Sequence, residues 1–349
     1  MNKYITLLQN LISTPSFSRK EAETAELINN FFKNEDIPTN RKWNNIWAKS
    51  KYWAENKPTI LLNSHHDTVK PAKGYTRNPF EPTIEKGILY GLGSNDAGGS
   101  LVALIAVFVH FYNRKNLPFN LIIAATAEEE ISGKNGIASI LGDLGQLDLG
   151  IIGEPTQMRM AIAEKGLMVI DGYAKGKSGH AAREEGINAL YIAMEDIQRI
   201  KNYELDLVSN LLGKTKMSVT QVTAGTQHNV VPDNCHFVID VRTNEHYSNE
   251  AVFEILQKNT DSELKARSFR LNSSGISLDH PIVKKGLKMA LPYYGSPTLS
   301  DQALINGIPT IKIGCGKSER SHTADEFIYI SEIEKGIEIY IDLLEGLFL

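Results

Sequence analysis

Residues 61–67 read Leu-Leu-Asn-Ser-His-His-Asp, an apolar run that stops abruptly at two imidazoles and a carboxylate. One imidazole of the pair can hold a divalent ion through a ring nitrogen while Asp67 orients it from behind. A histidine-rich strand end is equally an ordinary hydrogen-bonded polar edge, so its meaning rests on what else converges there. Further along, Asp96 in Tyr-Gly-Leu-Gly-Ser-Asn-Asp-Ala-Gly-Gly opens the helical pattern of residues 101–111. Residues 120–126 run straight into Glu128-Glu129-Glu130, and residues 149–153 into Glu154-Pro155-Thr156. Carboxylates crowded at the end of so apolar a strand repel one another unless a cation or a proton is supplied. One acidic strand end is unremarkable; a series of them, with imidazole, reads as a metal cage.

Two divalent ions about 3.5 to 4 Å apart can share a bridging carboxylate and a water, lower that water's pKa and polarise a carbonyl. Such a site needs a bridge, terminal imidazoles and carboxylates, and a free base. Asp96 can be the bridge, and His65 with Glu154 would complete one ion. Glu130 would hold the second together with a late imidazole, for which Ser321-His322-Thr323 is the best candidate. Glu129, beside a ligand but not obliged to be one, is then the general base that passes the proton to the leaving amine. Zinc suits this nitrogen and oxygen set, and cobalt or manganese stay open. The Gly91-Leu92-Gly93 spacing also invites a dinucleotide reading, but Asp96 stands where a third glycine belongs. A carboxylate in a helix's opening turn would repel a pyrophosphate. By itself Asp96 also reads as a helix cap.

Side chains so far apart in the chain need an α/β frame, because ligands of an open α/β sheet gather at the carboxyl ends of its strands. Residues 46–48, 60–62, 120–126 and 149–153 read as strands. Ser18-Arg19-Lys20-Glu21 resembles a capping box ahead of a helix with Ala22, Ala25, Ile28 and Phe32 on one face. Between residues 166 and 272 the pattern becomes strand (167–174), helix (186–200), two strands (217–223, 235–241), helix (249–258), strand (265–271). That β-α-β-β-α-β order is the ferredoxin-like signature. Helix and strand patterns then resume at 281–289, 310–313 and 330–344, so the last part should return to the first sheet. The expected division is a discontinuous catalytic domain of residues 1–165 and 273–349, interrupted by 166–272.

A formal net charge of −4 leaves no basic footprint, which excludes nucleic acid as the expected partner. Only Cys235 and Cys315 occur, which argues against a disulfide framework and suits a reducing cytosol. The opening residues interleave polar side chains at helical spacing, unlike a signal sequence. Residues 101–109, the most apolar segment, soon meet His110, Asn113 and Arg114, so no membrane span is expected.

Taken in order, Leu62-Asn63-Ser64-His65-His66-Asp67, residues 90–99, Thr126-Ala127-Glu128-Glu129-Glu130, Gly153-Glu154-Pro155-Thr156 and His322 resemble the successive motifs of one metallohydrolase family. It is the family of acetylornithine deacetylases, succinyl-diaminopimelate desuccinylases and related carboxypeptidases and aminoacylases. The resemblance covers nearly the whole chain. It implies an α/β zinc-exopeptidase-like catalytic domain around a central mixed sheet, with the inserted ferredoxin-like α+β domain serving as lid and dimerisation module. By that resemblance His65, not His66, falls on the ligand position, Asp67 on the orienting carboxylate and Asp96 on the bridge. Glu129 falls on the base, and Glu130, Glu154 and His322 on the remaining ligands of two divalent ions. Gly179-His180-Ala181-Ala182 matches a motif whose histidine reaches a neighbouring active site to stabilise the oxyanion, which implies that catalysis needs a dimer. Residues 225–232, which include Asn229, and Arg242 resemble the stretch that binds the substrate's α-carboxylate, where a planar guanidinium suits. Outside that context His180 reads as a surface hydrogen bond and Arg242 as a strand-edge salt bridge. The chain departs from the family pattern at Glu128, where Asp is common, at Leu92, and at Gly98-Gly99. Cys315 reads as a small packed residue rather than a soft ligand.

The expectation is therefore a cytosolic, dimeric, two-metal amidohydrolase acting on a small N-acyl amino acid, N-acetyl-L-ornithine of arginine biosynthesis or a close relative. Deacylase over exopeptidase leans on Glu154, where the family's aminopeptidases tend to place Asp. Asp301 is expected either to meet the cationic end of ornithine or to cap a helix, and Lys317 or Arg320 could serve a succinyl group. A catalytically silent amino-acid-binding protein on this fold would have lost the base or a ligand; here none is missing.

Overall fold

A strand with parallel neighbours on both sides has no solvent face, so its sequence is apolar throughout instead of alternating. Thr59–His65 is of this kind, and Asn120–Thr126, parallel to it on one side and antiparallel to its other neighbour, is equally covered, with every residue of both buried. In the computed structural model, which describes residues 1–349, these two strands pair in parallel, and Leu149–Ile152 pairs in parallel with the other side of Thr59–His65. Thr310–Lys312 continues the parallel run beside Leu149–Ile152. Antiparallel strands Asn45–Lys49 and Asn40–Lys42 extend one edge, and Met160–Glu164 follows Thr310–Lys312 antiparallel at the other. The central sheet is thus mixed, with its parallel strands in the middle.

Gly99–Tyr112 is apolar on all sides, and a helix of that composition is stable only when covered on all sides. It packs on Thr59–His65 and Asn120–Thr126 and is covered by Asn2–Ser13 and Ile330–Leu344. Against the expectation from the sequence, Ser94–Tyr112 does have the length and composition of a membrane span; 83% of its apolar window is nonetheless buried within the protein. The turn into this helix is tight. A β-carbon on Gly98 would lie 2.4 Å from the carbonyl oxygen of Gly93, so only glycine fits. In the helix Ala22–Asn34 the buried face is Thr24, Ala25, Ile28 and Phe32, with Ala22 exposed. A small antiparallel sheet of Thr83–Glu85, Ile88–Tyr90 and Phe327–Tyr329 pairs Phe327 with Tyr90.

The chain forms two compact units, Met1–Ile162 with Gly275–Tyr294 and Ser300–Leu349, and Ala163–Ser274 with Gly295–Leu299. The second holds an antiparallel sheet in the order Lys216–Ala224, Asn234–Arg242, Met168–Lys175, Glu263–Ala266, the ferredoxin-like arrangement. Its core is Ile170, Phe237, Ile239 and Val241 packed with Val252 and Leu256. The helix expected from residue 186 begins at Ala189, because the Asn188 side chain accepts from the Leu190 N–H and caps it there. The last strand is shorter than the pattern suggested and ends at Ala266. The apolar-looking residues beyond it are loop, held by Asn249 Nδ2, which donates to the carbonyls of Phe269 at 3.2 Å and Leu271 at 2.9 Å.

Candidate active site

Strand register decides which acids meet. His65 pairs with Thr126 and Asn63 with Ile152, so Glu129 and Glu130 on one side and Glu154 on the other emerge close to the level of His65. The His65 ring is 1% exposed, and its Nε2 lies 3.3 Å from Asp96 Oδ1, 3.7 Å from Glu154 Oε1 and 3.9 Å from Glu129 Oε2. Nδ1 is 2.9 Å from the backbone carbonyl of Asp67 and 3.5 Å from its carboxylate, so the nearer acceptor that aligns the ring is main chain. The Asp67 carboxylate has other close partners. Fully buried, it accepts from Ser18 Oγ at 2.7 Å and from the N–H groups of Glu129 at 3.0 Å and Glu130 at 3.2 Å.

Ser18 is therefore no helix cap, and the helix Ala22–Asn34 has no side-chain cap bond. His66 faces away from the acids. Its Nδ1 lies 2.9 Å from Thr24 Oγ1 and its Nε2 2.9 Å from the Asn44 carbonyl, and burial pushes its pKa down to about 4.

Asp96 sits in the irregular turn Ser94–Gly98, and its two oxygens face different imidazoles. Oδ1 is the atom 3.3 Å from His65, while Oδ2 is 3.7 Å from His322 Nε2, which in turn lies 3.0 Å from Glu130 Oε2. Donor atoms of His65, Asp96 and Glu130 all lie within 4.8 Å of one another, as do those of His65, Glu129 and Glu154. Both groups share His65, and Asp96 belongs to the first of them.

So much acid in one buried place perturbs every member. Burial pushes Glu154 up to about 8, with Asp96 adding to it and His65 opposing. Burial likewise raises Glu129 well above the carboxylate range, with Glu154, Asp301 and Glu130 adding to it. Burial would lower His65, yet Glu154, Asp67 and Asp96 raise it well above an ordinary imidazole. The hydrogen bond to Glu130 lifts His322 to about 9. By themselves these groups neutralise one another by holding protons. A cation does the same without protons, freeing the imidazole nitrogens as ligands and the carboxylates to ionise, and the nitrogen and oxygen donor set fits one.

The sequence pattern of peptidase family M20/M25/M40 matches residues 61–346. The chain belongs to this family. Similar members include a succinyl-diaminopimelate desuccinylase of Rickettsia bellii, 24% identical over 378 residues that cover 98% of this chain and 96% of the relative. An acetylornithine deacetylase of Proteus mirabilis is 27% identical over 380 residues, again 98% of this chain and 96% of the relative. A dinuclear metal-binding peptidase of the M20 family from Bacillus subtilis shares the fold at a TM-score of 0.76 and 19% identity, with 99% of each chain covered. The protein is an M20-family metallohydrolase, of the family that the ordered motifs resemble.

Other residues singled out in the sequence have settled partners in this M20 protein. Glu128 turns away from its neighbours and accepts from Asn135 Nδ2 at 3.0 Å, so the three adjacent glutamates do not share one space. Asp301 neither caps a helix nor reaches solvent; Ser300 is the cap, and Asp301, 2% exposed, accepts from Asn63 Nδ2 at 3.0 Å and Thr126 Oγ1 at 2.9 Å. Burial outweighs those bonds and pushes it up to about 6. Arg320 is engaged by both oxygens of Glu332, at 2.6 and 3.1 Å, and lies over the Phe327 ring. Cys315 is buried and free, in the apolar core. In the second unit, His180 is exposed, its Nδ1 accepting from the Ala182 N–H at 3.1 Å, and the Asn229 carbonyl accepts from Ala181 at 2.9 Å. Arg242 donates to both oxygens of Asp240, at 2.8 and 3.1 Å. Sequence reasoning took Ser18 for a helix cap and gave Asn95 and Glu326 no role, since nothing in their local spacing distinguishes those two from surface polar residues.

Proposed function

We propose that this M20 protein hydrolyses the amide of an N-acyl amino acid, N-acetyl-L-ornithine first among substrates, with two divalent metal ions and Glu129 as general base. The carrying observation is that Asp96 offers one oxygen toward His65 and the other toward His322. Asp96 would bridge, His65 and Glu154 would complete one ion, and Glu130 and His322 the other. Bound there, the ions, zinc or cobalt, would polarise the scissile carbonyl and make a water acidic. Glu129 takes a proton from the attacking water as the oxygen adds to the carbonyl carbon. It then gives the proton to the nitrogen as the C–N bond breaks, releasing a carboxylate and an amine. Asp67 holds the main chain of Glu129 and Glu130 for that task. Arg242, released from or shared with Asp240, and Asn229 would hold the substrate's carboxylate.

His180 is assigned to the oxyanion in a neighbouring copy, which makes a homodimer of second units part of the proposal. Two surfaces of that unit support it: the helix Ala189–Asn202 exposes Tyr191 at 63% and Met194 at 55%, and Lys216–Ala224 is an unpaired sheet edge. Free, buried Cys235 and Cys315 fit a cytoplasmic setting. The acetyl choice over succinyl draws support from the engagement of Arg320 by Glu332, which removes one of the two cations a succinate could use.

The test is a panel of acetylornithine, succinylornithine, succinyl-diaminopimelate and a dipeptide, each with and without chelator. Chelator-sensitive release of acetate from acetylornithine is expected. Turnover of the dipeptide alone would overturn the substrate class.

A further inference from the structure

Glu326 is 2% exposed, and the hydrolysis proposed above leaves it without a role. A carboxylate buried this deeply must find donors or a counter-charge. Its donors are main-chain amides of one turn: Oε1 accepts from Asn95 at 2.8 Å and Asp96 at 2.9 Å, and Oε2 from Gly93 at 3.1 Å. Near-consecutive N–H groups aimed at one point form an anion-binding concavity. Here a carboxyl group from a remote part of the same chain fills it.

The same two stretches are joined at other points. The Gly91 N–H donates to the Glu326 carbonyl at 2.9 Å, and Phe327 pairs with Tyr90 in the small sheet. Asn95 exchanges two bonds with the Lys317 main chain, Nδ2 donating to its carbonyl at 3.0 Å and Oδ1 accepting from its N–H at 2.9 Å. Lys317 and Glu326 bracket His322. Its side chain is 54% exposed and its backbone is left-handed at φ 59°, so few contacts of its own fix it. Both ends of the segment that carries His322 are therefore fastened to the turn that carries Asp96.

We propose that Glu326, with Asn95, is a positioning residue that sets the placement of Asp96 relative to His322, and through it the geometry of the metal pair. The proposal rests on the metal-site reading above. Neither residue faces the cluster as a ligand; each acts on the main chain behind one.

The experiment compares the full-length protein with Glu326→Gln and Glu326→Ala by two readouts. Hydrogen exchange of peptides covering residues 91–98 in the metal-free protein reads the fastening. Chelator competition for cobalt, with the visible absorption of the cobalt-loaded protein, reads the site. Gln can keep the two bonds at Oε1 but turns an amide NH2 toward the Gly93 N–H, whereas Ala removes all three bonds. Exchange should quicken about tenfold in Glu326→Gln and more in Glu326→Ala. Cobalt affinity should fall in the same order, by roughly 10-fold and 100-fold, with altered absorption bands. With acetylornithine, kcat should drop while KM stays within about threefold.

If Glu326→Ala does not fold, Glu326→Gln decides. Unchanged exchange in the variants overturns the fastening. Faster exchange with unchanged cobalt affinity and spectrum makes Glu326 merely structural and overturns the positioning role. A wild-type protein that takes up no cobalt sinks the metal-site reading itself, a result visible in the control without any variant.

Discussion

Replacing Asp67 with asparagine should separate two roles for that carboxylate. If Asp67 served mainly to orient the His65 ring, the variant would be mild, because the close acceptor for Nδ1 is the main-chain carbonyl at 2.9 Å, which survives the change. The structure instead gives the carboxylate three donors, Ser18 Oγ and the N–H groups of Glu129 and Glu130. Asparagine offers one acceptor oxygen, so one of the two main-chain amides must face an NH2 group. The Ser18 hydroxyl can rotate to accept and adapt; an amide cannot. Losing one hydrogen bond to a charged, buried acceptor costs about 1.5–3 kcal/mol, a fall in the melting point of the first unit of ~2–4 °C per kcal/mol. The catalytic effect is larger than the stability effect suggests, since displacing Glu129 or Glu130 by ~1 Å costs on the order of 100-fold in rate. We expect kcat for acetylornithine to fall about 100-fold, KM to move little, and Ser18→Ala to lower kcat less than tenfold. Steady-state kinetics, metal content by mass spectrometry and thermal melts measure all three. Asp67→Asn with kcat within threefold of wild type would refute the reasoning and return Asp67 to a ring-orienting role.

Glu129→Gln should lower kcat by about 10²–10⁴-fold with metal content unchanged, as expected of a general base that is not a ligand; loss of bound metal instead would make Glu129 a ligand. His66→Ala should lower stability by about 2–4 kcal/mol, because it leaves Thr24 and Asn44 without their buried partner, yet leave metal content intact, whereas His65→Ala should lose metal. Asp171 is held down to about 2, first by Arg267 and then by His236. A depressed carboxylate adds stability above its unfolded pKa, so that contribution is full above about pH 4 and fades as the pH falls toward 2. With Arg267 55% exposed, solvent screening limits it to about 1 kcal/mol. Urea melts of wild type and Asp171→Asn should therefore differ at pH 7, with the gap narrowing below about pH 4 and closing toward pH 2, and a gap that widens on acidification would contradict the sign.

The strands and the core helix were legible because burial on both faces writes itself as an unbroken apolar run, and each run stops where polar chemistry begins. That is how residues 120–126 could be read as a strand ending at Glu129 and Glu130, and how the β-α-β-β-α-β order of the second unit could be read from turn signals and alternation. What no local pattern contains is which remote residue answers a buried polar group. Ser18 has the spacing of a cap, but tertiary packing turned it to Asp67. Asp301 reads in the sequence as meeting a substrate's cationic end or capping a helix, and it lies buried against Asn63 and Thr126. Glu128 seemed part of a repelling triplet and instead swings to Asn135. Glu326 carried no signal at all, although it holds the turn of Asp96. Hydrophobic periodicity is a property of neighbours in sequence, so sequence alone determined the elements and the strand ends where acids and imidazoles gather. Hydrogen bonds between loops depend on where distant chain segments are brought together by the sheet register, so only the folded structure decided that Asp96 faces two imidazoles and which groups hold it there.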